Sequence, residues 1–244
     1  IRGDNTAVLT FTNVKYVTLD GHSSQSSPAA EITVHALYNT ATDWNDCIDV
    51  WKDADYNHFL NLILISDDIR SLGNSLLLLS DGTNRPDSNL VEGNLAIGVT
   101  GIYVTGSTTI NTRPRGNIIR GNIIGEATYL LGAWGIESDY AMGTIIESNT
   151  VQFLRKAMYP DYTSGITVFA NINTIIRNNI VHSLFGSSGA RVEGIVVTGS
   201  SSYMGSGLQI YNNMIYNLNN TSTSGSSYIC GIDSWYNNTA LIAY

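Results

Sequence analysis

The chain repeats itself, and the repeat leaves few folds open. Five segments align without gaps: Asn89-Leu-Val-Glu-Gly-Asn94, Asn117-Ile-Ile-Arg-Gly-Asn122, Thr144-Ile-Ile-Glu-Ser-Asn149, Thr174-Ile-Ile-Arg-Asn-Asn179 and Leu208-Gln-Ile-Tyr-Asn-Asn213. Their last asparagines lie 28, 27, 30 and 34 residues apart, so loops of unequal length interrupt a common unit. A second column keeps step with the first. Ile48, Leu76, Ile102, Ile136, Ile166, Ile195 and Ile232 each stand second in a short apolar strand, and in the last five a glycine precedes the isoleucine. A leucine-rich horseshoe needs a fixed Leu frame, and a propeller needs four strands in roughly 40–45 residues. Neither pattern is present. What remains is a chain coiled so that the strands of each turn stack in parallel on the turn below: an all-β, right-handed parallel β-helix of about 7–8 coils, one domain over residues 1–244.

The composition agrees. Gly (23) and Tyr (14) are abundant, and helix-forming residues never persist at 3.6-residue spacing, so the bias is towards strands and turns. With 43% hydrophobic and 13% charged positions the chain can bury a core. A formal charge of -8 disfavours nucleic acid and anionic membrane as partners, since both are gripped by clustered positive charge. The apolar runs 59–65 and 76–79 fall far short of the roughly 20 residues of a spanning helix, so no membrane span is expected. Residues 8–10 already read as strand and residues 239–244 read as a coil beginning. The expectation is therefore a segment of a longer chain with further domains, or one unit of a self-assembling structure.

Asn94, Asn122, Asn149, Asn179 and Asn213 have a physical reason to recur. A coil bends sharply between sheets, asparagine tolerates the left-handed conformation such bends use, and stacked amides can bond from coil to coil about 4.8 Å apart. They are read as a structural ladder at one bend, and the Ile118/Ile119, Ile145/Ile146 and Ile175/Ile176 pairs as packing residues.

The Ile-Ile-Arg-Asn-Asn-x-Ile unit resembles the right-handed β-helix repeat of pectate-lyase-like proteins. The opening Phe11-Thr-Asn-Val-Lys-Tyr-Val-Thr-Leu-Asp-Gly21 resembles the first coil of large secreted β-helix proteins of Bacteroidetes-type bacteria. The resemblance implies the fold over residues 8–244 and an extracellular or cell-surface setting. Activity does not travel with a fold. Polygalacturonase-like members carry Asn-Thr-Asp, Asp-Asp, Gly-His-Gly and Arg-Ile-Lys motifs, of which this chain keeps only Asp67-Asp68 and a Gly21-His22 followed by Ser. Pectate-lyase-like members use an acidic Ca²⁺ cluster, for which the nearest analogue here is Asp43, Asp46 and Asp49, with Asp53 and Asp55 around Lys52. No other cofactor is expected, and the four histidines show no metal spacing.

Strict alternation along the Gly-Ile strands turns the Ile column inwards. Asp49, Leu77, Tyr103, Glu137, Thr167, Val196 and Asp233 then face outwards, as do Trp51, Leu79, Thr105, Asp139, Phe169, Thr198 and Trp235. Aromatics interleaved with acids suit sugars, whose ring faces stack on aromatic side chains while their hydroxyls bond carboxylates. Trp51, Tyr103, Glu137, Asp139 and Trp235 are therefore the candidate contacts for a polysaccharide or other surface glycan. Glu137 and Asp139, about 6.6–6.8 Å apart along one strand, are the candidate acid and base. The primary expectation is a β-helix that binds glycan or builds a surface structure; the alternative is a polysaccharide lyase or glycoside hydrolase acting on the Glu137/Asp139 face. Cys47 and Cys230 stand at nearly the same place in the first and last of the seven aligned strands, roughly 29 Å apart at about 4.8 Å per coil. They are expected free and buried, because a disulfide tolerates at most about 7 Å between Cα atoms.

Overall fold

A computed structural model of the protein describes residues 2–3, 7–22, 32–37, 46–67, 74–80, 82–127, 132–155, 162–186, 191–221, 227–236 and 240–243. Within them lie three eight-stranded sheets, and every strand pair is parallel to its neighbour. The long strands form sheet B: Ala7–Thr12, Asp46–Trp51, Asn74–Leu79, Thr100–Thr105, Trp134–Asp139, Tyr162–Phe169, Arg191–Thr198 and Ile229–Ser234. The Ile-Ile segments, such as Ile118–Arg120 and Ile145–Glu147, form sheet C. The residues after each asparagine, such as Ile123–Ile124 and Thr150–Gln152, form sheet A. The chain visits B, C and A in turn and rises one strand per circuit: a parallel β-helix.

Register follows the two sequence columns. Ile48, Leu76, Ile102, Ile136, Ile166, Ile195 and Ile232 pair in succession, and Leu9 extends the row. All but the end residues of this row are fully buried, as are Ile119, Ile146 and Val151 from the other two sheets. The core is thus a stack of aliphatic layers. A side chain such as Ile136 contributes about 1.5–3 kcal/mol by leaving water.

The bend between sheets C and A holds the asparagine ladder. In each coil the Oδ1 of one asparagine accepts both the main-chain N–H and the Nδ2–H of its equivalent in the preceding coil. This runs from Asn94 to Asn122, Asn149, Asn179 and Asn213 at 2.9–3.0 Å. Each amide also donates to a carbonyl of the coil before, as Asn149 Nδ2 does to Ile119 at 3.0 Å. The ladder is as expected, but its conformation differs. The left-handed residue is the one before, Gly93, Gly121, Ser148, Asn178 and Asn212, with φ between 54° and 67°. The preceding residue makes the corner, which leaves the buried asparagine free to satisfy backbone donors that the corner strips of partners. A second ladder, Asn57–Asn89–Asn117, performs the same task on the entry side of sheet C.

Both cysteines are free. Cys47 is fully buried as expected, but Cys230 is only half-buried, because it lies on the edge strand of sheet B among the described residues.

Candidate functional site

Sheet B does not alternate strictly, and the departure builds the site. Gly101, Gly135, Gly165 and Gly194 sit where a side chain would collide with the core: a Cβ on Gly135 would run into a Val151 methyl and the Gly165 carbonyl. The stacked glycines therefore mark a local break in the pleat, kept in register from coil to coil, with the glycine and the following isoleucine both directed inwards. The residue before Gly135, Gly165 and Gly194 is turned out: Trp134, Ser164 and Glu193, paired in succession, line the cleft and add a row that strict alternation hides. Beside it run the expected rows, Tyr103–Glu137–Thr167–Val196 and Thr105–Asp139–Phe169–Thr198.

These rows floor a cleft of about 340 Å³ lined by Trp134, Glu137, Asp139, Tyr162, Phe169, Arg191, Glu193 and Trp235, with small residues between them. Glu137 and Asp139 share one strand and one face. Burial, reinforced by the Asp139 charge, pushes the Glu137 carboxyl up to about 8. Burial also raises Asp139, to about 6, against the opposing pull of a hydrogen bond from the Tyr103 hydroxyl to its Oδ2 at 3.0 Å. The two titrate as a unit, with Glu137 held the higher of the two. Asp139 Oδ1 is buried without a partner, so a proton or a donor brought near the carboxylate stabilises it. Tyr103 is itself raised, by burial and then by the charges of Asp139 and Glu137, and so remains a neutral donor.

The other end of the cleft is tied together differently. Glu193 is buried and accepts from Ser164 Oγ at 3.2 Å and from the Tyr228 hydroxyl at 2.6 Å. The same hydroxyl lies 3.1 Å from Asp233. The Arg191 guanidinium stacks on the Tyr228 ring, 5.1 Å from its centroid, and the Trp134 and Tyr162 rings meet edge-on at 6.2 Å.

Of the residues singled out from the sequence, Glu137, Asp139 and Trp235 line this cleft, and Tyr103 supports it from one coil away. Trp51 is not among them: it pairs with Leu79 and is separated from Asp139 by Thr105, about 14 Å along the stack. Asp233 adjoins the cleft through Tyr228. Trp134, Glu193, Tyr162 and Arg191 were not legible as site residues, although the glycine column was the signal for the first two. For the Ca²⁺ reading, Asp43 lies outside the described residues, as does Asp68 of the Asp67-Asp68 motif. Asp46 and Asp49 are adjacent and buried, and Asp46 Oδ1 accepts two bonds from Asn74, at 2.7 and 2.9 Å. No group of three or more potential metal ligands occurs among the described residues. Asp55 holds Lys15 at 2.6 Å and Asp67 holds His35 at 2.8 Å.

No known protein family matches the sequence, and no curated protein does. Solved structures do. Over 98% of its length the chain superposes on the GH136 lacto-N-biosidase from Eubacterium ramulus, with a TM-score of 0.51 and 12% identity. It covers 50% of that enzyme and so spans about half its length. The chain is a parallel β-helix. This β-helix also matches an alginate lyase from Paenibacillus sp. str. FPU-7, with a TM-score of 0.46 and 18% identity over 93% of this chain and 91% of the lyase. The mannuronan C-5 epimerase AlgE6 A-module of Azotobacter vinelandii matches over 100% of this chain and 75% of its own, with a TM-score of 0.27 and 11% identity.

Proposed function

We propose that this β-helix binds a glycan across sheet B and hydrolyses a glycosidic bond with the Glu137/Asp139 pair. The observation that carries the reading is the pair itself: two carboxyls of unequal proton affinity, side by side on the floor of an aromatic-lined cleft. A general acid and a general base need opposite protonation at one pH, and environments that push two carboxyls apart supply it. Glu137 donates its proton to the leaving glycosidic oxygen. Asp139, held by Tyr103, takes a proton from the water that attacks the anomeric carbon. One bond to the anomeric carbon breaks as another forms, and the site returns to its starting charge after exchange with solvent. Direct attack by water in a single displacement inverts the configuration at the anomeric carbon. Trp134, Tyr162, Phe169 and Trp235 supply stacking surface for sugar rings.

Incubation with a panel of oligosaccharides and detection of new reducing ends tests this. Cleavage by the native chain and its loss in Glu137→Gln are expected. Retention of glycan without cleavage would leave a binding protein, and retention of none would reject the reading. The same reading sets the working protein outside the cell or at its surface, where polymeric glycans lie. Detection of the chain in the medium or on intact cells checks it, and a purely cytosolic pool would contradict it.

A further inference from the structure

We infer that the glycan is uncharged over the segment that crosses Glu137 and Asp139, so that the cleft serves hydrolysis of a neutral sugar chain and not β-elimination of a polyuronate. This rests on the reading just proposed and narrows its substrate class. The cleft is acidic. Glu137, Asp139 and Glu193 line it, Asp233 joins Glu193 through Tyr228, and Arg191 is the one cation among its described lining residues.

Arg191 is at the wrong end to help. It pairs with Tyr162, five residues before Thr167, the neighbour of Glu137, which sets it about 16 Å away along the strand. Its guanidinium also lies over Tyr228. Arg113 is buried against Tyr140 and bound to the carbonyls of Ala170 and Thr108, so it is not presented to the cleft either.

A polyuronate carries a carboxylate on every ring. Bound here, it would set at least one of them against the Asp139 carboxylate in a partly desolvated site without a counter-charge, an arrangement that protein sites avoid. Elimination adds a second difficulty. Removing the proton next to the sugar carboxylate drives negative charge onto it, which needs a cation aimed at that position, and the described lining offers none there. A neutral ring meets no such obstacle. Its hydroxyls donate to Asp139 and to Glu193 as charge-assisted hydrogen bonds, and its apolar face stacks on Trp134 or Tyr162.

The test uses the whole chain as Glu137→Gln, which is expected to bind without turnover, titrated calorimetrically with two sets of oligosaccharides of matched length. One set is neutral, of hexose and N-acetylhexosamine units; the other is of uronates. Wild-type products are followed by mass spectrometry. The expected result is binding of a neutral member at least about tenfold tighter than any uronate and little changed by added salt, since an uncharged ligand has no charge to screen. Trp134→Ala should abolish that binding, and wild-type products should together gain one water. Tighter uronate binding that Trp134→Ala abolishes, or unsaturated product ends, would overturn the substrate class while leaving the cleft as the glycan site. Binding of either class unaffected by Trp134→Ala, or of neither class, would overturn the cleft reading and this inference with it.

Discussion

Two pairs of acids on the outer face of sheet B make an instructive contrast. Asp46 and Asp49 lie near one end of the stack, and Glu137 and Asp139 lie three coils further on. The electrostatics are alike: burial and a neighbouring carboxylate push Asp49 up to about 8, as they do Glu137. Access is not. Asp46 and Asp49 are 2% and 7% exposed, and Asp46 is committed to Asn74. Glu137 and Asp139 are partly exposed and open onto a cleft with stacking surfaces. A raised carboxyl therefore does not by itself mark a site. What marks one is the coincidence of that shift with a groove a ligand can enter and with side chains that recognise it.

The contrast breaks most sharply in catalysis. Glu137→Gln should lower kcat on a cleaved glycan by about 10²- to 10⁴-fold, the range for loss of a general acid, whereas Asp49→Asn should leave kcat within about threefold. Comparable losses in both variants would show that the pairs are not distinct.

Stability should separate them in the opposite sense. Asp46→Ala removes the acceptor of two buried Asn74 donors and should cost about 1–3 kcal/mol in urea unfolding, with kcat intact. A variant as stable as the native chain would mean that Asp46 has no structural role.

The fold was legible because it is written many times over. Seven Gly-Ile-type strands and five asparagines repeat the same physical demand, so the sheet assignment, register and ladder survive irregular loops. The site was only half legible. Alternation identified Glu137 and Asp139 as neighbours on one face, but treating the strand as regular hid Trp134 and Glu193, although Gly135 and Gly194 were already in view as a column. Tyr162 and Arg191 follow loops of unequal length, so no periodic signal pointed to them. The left-handed corner falls one residue before the ladder asparagine, at Gly93, Gly121, Ser148, Asn178 and Asn212; glycine and asparagine both tolerate positive φ, so residue type alone does not separate the corner from the ladder.

Titration provides a milder test. Asp49 and Glu137 are held above their unfolded values, so the stability each contributes is complete below about pH 4, the unfolded carboxylate range. It is lost as pH rises through about 8, where the folded groups ionise. Tm should therefore fall between pH 5 and pH 9, and Asp49→Asn or Glu137→Gln should each flatten part of the decline. A saturating glycan should shift the Glu137 portion alone. A flat profile in the native chain would contradict the shifts.

The smallest expected effect concerns Tyr103. Its hydrogen bond lowers Asp139, so Tyr103→Phe should move the acidic limb of kcat/KM upwards from about 6 by roughly half a unit to one unit, the equivalent of one hydrogen bond. The alkaline limb near 8, set by Glu137, should stay in place. Movement of both limbs together would show that Tyr103 does not act on Asp139 in particular.

The most direct measurement of the central claim is the configuration of the first product. Proton NMR during cleavage of a neutral oligosaccharide should show the anomer opposite to that of the broken bond appearing first, followed by mutarotation, with product formation slowed at least about 100-fold in Glu137→Gln. A retained anomer, or cleavage at close to the native rate in Glu137→Gln, would contradict the assignment of Glu137 and Asp139 as acid and base.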